Sequence, residues 1–289
     1  MKIIVPLHVS GVWIAKYSSD PLGTGSLGAG LNLAVYAVGR ELAGSCRLLV
    51  NGFEVFREQA LELCNHAGTS AGVEVELPVE LGKGFGASAA VLITHSLVSH
   101  ILAGKPSLRA LQVAHIVEVK YRTGLGDVIA EYTGGLAIRV KPGAPGVGLA
   151  YRVIPRQRVD LVVAELNGVE DTSRMLSRIT SEVYRVGENL LNRIVETEDV
   201  HIFFESARKF TSMLFDYTPA RSLLSGLKGV IDYYMKKSAL VVWVEREYAD
   251  DVLSSIRSKG IRAFKTTISP IGVNLVHTTQ SPEENKSSH

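Results

Sequence analysis

The residue types that could carry chemistry cluster in two places. Between Pro78 and Ala90 the chain reads PVELGKGFGASAA, and it then runs into Val91 to Ala103, an apolar segment with helical spacing. Glycines just ahead of a helix let the backbone approach a ligand and turn free N–H groups outward. The positive end of the helix adds to this, so the element favours a phosphate. Ser88 falls near the helix start, where a hydroxyl either caps the backbone or reaches a metal ion. Lys83 lies between the glycines, unlike the lysine of a Walker A loop. Gly82, Gly84 and Gly86 are spaced two apart, and no acid follows as a dinucleotide fingerprint requires. Taken alone, the segment also reads as a tight turn closed by a helix cap.

The second cluster runs from Ala114 to Gly135. Glu118 falls on the helix expected over Ser107 to Tyr121, and Thr123-Gly124-Leu125-Gly126-Asp127 turns the chain into Val128. A carboxylate held by a glycine turn at a domain edge is placed for catalysis, and Asp127 could equally cap the next helix. For Glu118 the plain alternative is a solvated helix carboxylate.

The elements that must position these groups follow from the pattern. Strands are expected at Lys2 to Pro6, Arg47 to Phe56, Gly72 to Leu77, Gly135 to Val140, Asp160 to Leu166 and Ser238 to Glu245. Helices are expected at Gly28 to Val38, Ser88 to Ala103, Ser107 to Tyr121 and Tyr248 to Lys259, with polar helical stretches around Thr172 to Val195. Lys141 to Gly148 reads KPGAPGVG, a loop signal and a candidate hinge. The expectation is an α+β chain of two domains, 1–148 and 149–279, with the active site in the cleft between them and a disordered tail from Gln280 to His289.

Composition fits a globular enzyme. With 46% hydrophobic and 21% charged residues and a net charge of +2, nothing calls for nucleic acid or a membrane surface as partner. Cys46 and Cys64 lack metal-ligand spacing and allow at most one disulfide, so reduced thiols in a cytoplasmic protein are the simpler expectation. Pro6 and His8 interrupt the first residues, so no secretory leader is expected. Thr94, His95, Ser96 and His100 likewise argue against a membrane span in the apolar helix.

Pro78 together with Gly84 to Ala90 resembles the phosphate loop of the GHMP kinases, the superfamily of galactokinase, homoserine kinase and mevalonate kinase. Phe85 replaces a leucine of that motif and Ala87 its first serine. Gly124 to Asp127 with Gly134-Gly135 is similar to the superfamily's catalytic-aspartate motif, and Glu118 matches the glutamate that completes its magnesium site. Three further segments, Pro6 to Gly11, Asp20 to Gly30 and Gly134 to Gly143, look like those of the archaeal pantoate kinases, so this narrower resemblance is spread over about half the chain.

The resemblance implies transfer of the ATP γ-phosphate to the primary hydroxyl of pantoate, giving 4-phosphopantoate for coenzyme A synthesis. Gly82, Lys83, Gly84, Phe85, Gly86, Ala87 and Ser88 would wrap the triphosphate, and Ser88 and Glu118 would hold Mg²⁺. Asp127 would accept or polarise the hydroxyl proton, with no obvious lysine partner in the chain. Pantoate is an anion, so Arg139, His115, Ser26 and His8 are candidates for binding it. Their plain alternatives are a sheet-surface charge, buried histidines and a helix cap. A third, glycine-rich motif of the superfamily is missing at Tyr233 to Ser238, where pantoate kinases usually keep a glycine at the place of Lys236 or Lys237. A kinase for mevalonate, homoserine or a sugar, a non-catalytic nucleotide-binding relative, and a homodimeric assembly all stay open.

Overall fold

A computed structural model describes residues 1–168 and 172–276. The expected tail from Gln280 onward lies outside the described residues. The first sheet is built on two long strands, β1 (Lys2–Lys16) and β2 (Gly25–Leu42), paired antiparallel. A shift of register between Pro6 and Leu7 accommodates the proline, which has no N–H to give the ladder. β2 corrects the helix expected at Gly28 to Val38. Its other edge pairs β5 (Gly72–Glu76) through Val38 to Leu42 and β6 (Leu136–Lys141) through Gly28 to Leu31. A strand covered on both faces loses alternation and reads as a continuous run of small and apolar residues, easily taken for a helix.

Short strands β3 (Leu48–Val50) and β4 (Phe53–Glu54) form a hairpin on β5, where one strand was expected from Arg47 to Phe56. Three helices accompany this sheet: α1 (Arg57–Ala67), α2 (Ala87–Leu102) and α3 (Ser107–Tyr121). The cysteines expected as thiols are joined, Cys46 to Cys64, with a Cα separation of 6.3 Å that suits a disulfide. A short helix, α4 (Asp127–Thr133), leads into β6, and β7 (Leu149–Val153) pairs back onto β6. The Lys141 to Gly148 segment, expected as a hinge, is therefore a hairpin loop within the first sheet.

The second sheet has antiparallel neighbours in the order β11 (Arg262–Thr267), β8 (Asp160–Glu165), β10 (Ala239–Val244) and β9 (Val230–Lys236). Side chains alternate across it. Val162, Ala164, Leu240 and Val242 pack with α8 (Thr218–Leu224) and α9 (Ala249–Ser258), while Leu161, Val163, Val241 and Trp243 face the main core. That core takes in α6 (Ser181–Thr197) and α7 (Val200–Thr211), and the six-residue α5 (Thr172–Ser177) precedes them. Tyr234 ties the two sheets together: its hydroxyl donates to the Val9 carbonyl at 2.8 Å and its ring is flanked edge-on by Phe203 and Phe204. A final strand, β12 (Asn274–Val276), returns to the outer edge of β1. No helix among the described residues is long and apolar enough to cross a membrane.

Candidate active site

A cavity of about 580 Å³ opens between the two sheets, lined by the glycine-rich turn from Gly82 to Ser88 and by Asp127. Gly82, Gly84 and Gly86 have φ of 82°, 107° and 67°, values that L side chains rarely adopt. Gly84 also lies against the carbonyl of Lys236, and Gly86 against the carboxyl of Glu131, so a Cβ at either position would overlap its neighbour. Gly86 is the N-cap of α2 and brings no side chain to it, which leaves the first-turn N–H groups and the positive helix end for an anion. Phe85, Ala87 and Ser88 line the cavity beside the glycines. Lys83 turns away, its Nζ donating to the Leu166 carbonyl and pairing with Glu80, both at 3.3 Å.

Ser88 and Glu118, 30 residues apart, meet here: the Ser88 hydroxyl donates to Glu118 Oε1 at 3.0 Å. Glu118 is not the solvated carboxylate that its place on a helix would allow. It is fully buried, and its Oε2 has no hydrogen-bond partner. Burial first, then the charge of Asp127, pushes its carboxyl up to about 8, against the Ser88 hydrogen bond. Gly124 makes room for it, since a Cβ there would stand 2.5 Å from Oε2.

Asp127 opens α4 and makes no capping bond to it. Its Oδ1 accepts from the Ser10 hydroxyl at 3.4 Å and lies 3.4 Å from the Lys236 ammonium and 3.9 Å from His8 Nε2. Burial raises the Asp127 carboxyl, but the Lys236 ammonium leads the opposing charges and holds it at about 2, ionised at any working pH. The expectation that this carboxylate lacks a lysine partner is thus wrong. Lys236 is 109 residues away in sequence and arrives from the second sheet. Its neighbour Lys237 is left-handed, φ 55°, the conformation for which a glycine is usual, and its Nζ donates to the Thr172 hydroxyl at 2.9 Å.

The four residues suggested for the acceptor fall into two layers. Ser26 lines the cavity, packed on Gly126. Behind it lie Arg139, His8 and His115, all essentially buried. Arg139 follows from the pairing of β6 with β2, which sets it opposite Gly28. Its Nη1 lies 3.2 Å from His8 Nε2, and its Nε faces Gly126 with no hydrogen-bond partner. Burial lowers the guanidinium to about 10, so it remains charged. Gly30 lets the His8 ring lie on β2, because a Cβ there would be 2.5 Å from the ring. His115 donates from Nε2 to the Thr24 carbonyl at 2.8 Å and so props the strand that presents Ser26. Burial lowers both histidines, which are neutral near pH 7. Sequence reasoning missed Ser10 and Lys236; for Ser10 the available signal was its place two residues beyond His8 on the same strand face.

No family model matches the chain. A pantoate kinase of Thermococcus kodakarensis is 35% identical over 164 residues, 52% of this chain and 54% of that protein, so the chain matches about half the length of that relative. A pantoate kinase of Methanocaldococcus jannaschii is 26% identical over 218 residues, covering 72% of this chain and 78% of the relative. Among solved structures, a phosphotransferase related to the CoA biosynthesis pathway superposes with a TM-score of 0.75 at 25% identity, over 95% of this chain and 98% of the other. A Methanococcus jannaschii mevalonate kinase reaches 0.67 at 12% identity, over 93% and 98%. The chain has the α+β fold of the GHMP kinases, and within that fold its sequence is similar to the archaeal pantoate kinases.

Proposed function

We propose that the chain is an ATP-dependent kinase that phosphorylates the primary hydroxyl of pantoate to 4-phosphopantoate, a step of archaeal coenzyme A synthesis in the cytoplasm. The observation that carries this reading is one cavity joining a phosphate loop to a buried, ionised aspartate, in a chain similar to pantoate kinases. The loop from Gly82 to Ser88 binds the triphosphate through backbone N–H groups. Ser88 and Glu118 suit Mg²⁺: both are hard oxygen donors, and the buried Glu118 Oε2 lacks a partner that a cation would supply. When bound, Mg²⁺ neutralises charge on the β- and γ-phosphate oxygens.

Asp127 orients the acceptor hydroxyl and takes its proton. A carboxylate held at about 2 takes that proton late, as the oxygen–phosphorus bond forms, which fits a loose transfer in which positioning and charge cancellation dominate. Ser26 donates to the acceptor, and the Arg139 guanidinium supplies the positive charge behind it for the pantoate carboxylate. His115 and His8 hold these two in place as neutral rings.

The test is magnesium-dependent ADP release across pantoate, mevalonate, homoserine and sugars, with Asp127→Asn and Ser88→Ala alongside. Pantoate should be the acceptor turned over, and each variant should stay folded with kcat down by roughly 10²-fold or more. Turnover of another acceptor in place of pantoate overturns the substrate, and near-normal kcat in Asp127→Asn overturns the role of the aspartate.

A further inference from the structure

Lys236 ends β9, and its turn is fastened to the phosphate loop. The Ser238 N–H donates to the Lys83 carbonyl at 3.0 Å, and Gly84 lies directly against the Lys236 carbonyl. The lysine thus starts beside the triphosphate site, and its stem reaches across to Asp127. It lines the cavity although it is only 7% exposed. Its ammonium is 3.4 Å from both Asp127 Oδ1 and Ser10 Oγ and 5.9 Å above the Trp13 ring. Both polar contacts are longer than the ~2.7–2.9 Å of a closed charge-assisted hydrogen bond. An ion pair kept for the fold alone recovers its desolvation cost through close geometry. This one is loose, and it borders the space where the transferred group must pass.

We propose that Lys236 is a catalytic cation delivered from the second sheet: it partners Asp127 while the acceptor site is empty and turns to the oxygens of the transferred phosphoryl group during transfer. The proposal rests on the kinase reading. In the step, the acceptor oxygen bonds to the γ-phosphorus as the bond from that phosphorus to the β,γ-bridging oxygen breaks. ADP leaves with the electron pair, the hydroxyl proton goes to Asp127, and Lys236 keeps its protons throughout. As the ammonium turns away, Asp127 loses the charge that makes it a poor proton acceptor. Stabilisation of the phosphoryl oxygens and release of the base are then one movement.

The wild-type enzyme is assayed first on the acceptor panel. If it phosphorylates none, the kinase reading falls with no variant consulted; if it phosphorylates any, that acceptor is used for Lys236→Met, Lys236→Ala and Lys236→Arg. Melting temperature, ATP affinity by calorimetry, kcat and KM are measured for each. The Met and Ala variants should lose about 10²- to 10³-fold in kcat, as when one transition-state donor is removed, with ATP affinity within about threefold. Lys236→Arg should recover part, and methylammonium should raise kcat of Lys236→Ala saturably while leaving the wild type unchanged. Wild-type kcat in the Ala or Met variant overturns the proposal. So does a loss of ATP affinity parallel to kcat, which makes the lysine a nucleotide clamp, and so does absence of amine rescue in a folded Lys236→Ala. If neither of those folds, Lys236→Arg decides: lowered kcat at unchanged ATP affinity upholds the proposal, and wild-type kcat sinks it.

Discussion

Gly124 offers a way to displace Glu118 without altering it. The backbone there lies outside the left-handed region, so alanine meets no conformational penalty. A Cβ would, however, stand 2.5 Å from Glu118 Oε2, 2.7 Å from Oε1 and 2.8 Å from Cδ. To reach the 3.4 Å of ordinary contact the carboxylate must retreat by about 0.9 Å. It is fully buried and tethered to Ser88 at 3.0 Å, so the retreat strains or breaks that bond. Magnesium demands near-ideal ligand positions, and a misplacement of about 1 Å typically costs on the order of 10² in rate. Gly124→Ala should therefore lower kcat/KM by roughly 10²-fold, about 2.7 kcal/mol of transition-state stabilisation. The Mg²⁺ midpoint should rise. The melting temperature should move little, because the stiffer unfolded chain returns about 0.4–1 kcal/mol. ADP release titrated against Mg²⁺, with a thermal melt of the same sample, measures all three. Wild-type turnover with wild-type Mg²⁺ dependence would refute the assignment of Glu118 to the metal.

Two further outcomes follow from the buried charges. If Arg139 carries the proposed charge for the pantoate carboxylate, Arg139→Ala removes a charge-assisted contact worth about 1.5–3 kcal/mol, so KM for pantoate should rise roughly 10- to 150-fold while that for ATP changes far less. Arg139→Lys should recover only part of the loss, and an equal rise in both constants would assign the arginine to the phosphates. Burial holds His95 at about 4 against an ordinary 6.5, so the unfolded chain binds more protons between these values. Stability present above pH 6.5 should be lost as the pH falls towards 4, by on the order of 3 kcal/mol from this group. Denaturant unfolding at stepped pH should show a shallower decline in His95→Asn; parallel curves for the two proteins would contradict it.

The glycine-rich turn and α2 are legible in the sequence because their signal is local: glycines two apart, then an apolar run of helical length. Glu118 and Asp127 are legible as residue types for the same reason. The layering of the acceptor side is not, since Arg139 and His115 reach the site through strand register and helix packing. The misreading of Gly28 to Val38 has a related cause. Its leucines and alanines fit a helical spacing, and only pairing on both edges, with β1 and with β5 and β6, makes them a strand. Lys236 was hardest to see. In sequence it is one of two lysines in a polar turn, and sheet order alone carries it to Asp127. A turn that needs a left-handed residue and holds no glycine was the available hint, and Lys237 fills it.

The pairing of β12 with β1, Ile3 opposite Leu275 and Ile4 opposite Asn274, also bears on how the chain is made. β1 leaves the ribosome long before β12, the last described strand, can close its edge. At about 5–20 residues per second the interval is on the order of tens of seconds. Throughout it, the apolar run from Ile3 to Val5 presents unpaired backbone groups along that edge, a template for pairing between neighbouring nascent chains. Solubility during synthesis should therefore depend on translation speed and on whatever shields that edge, even where the finished protein is insensitive to both.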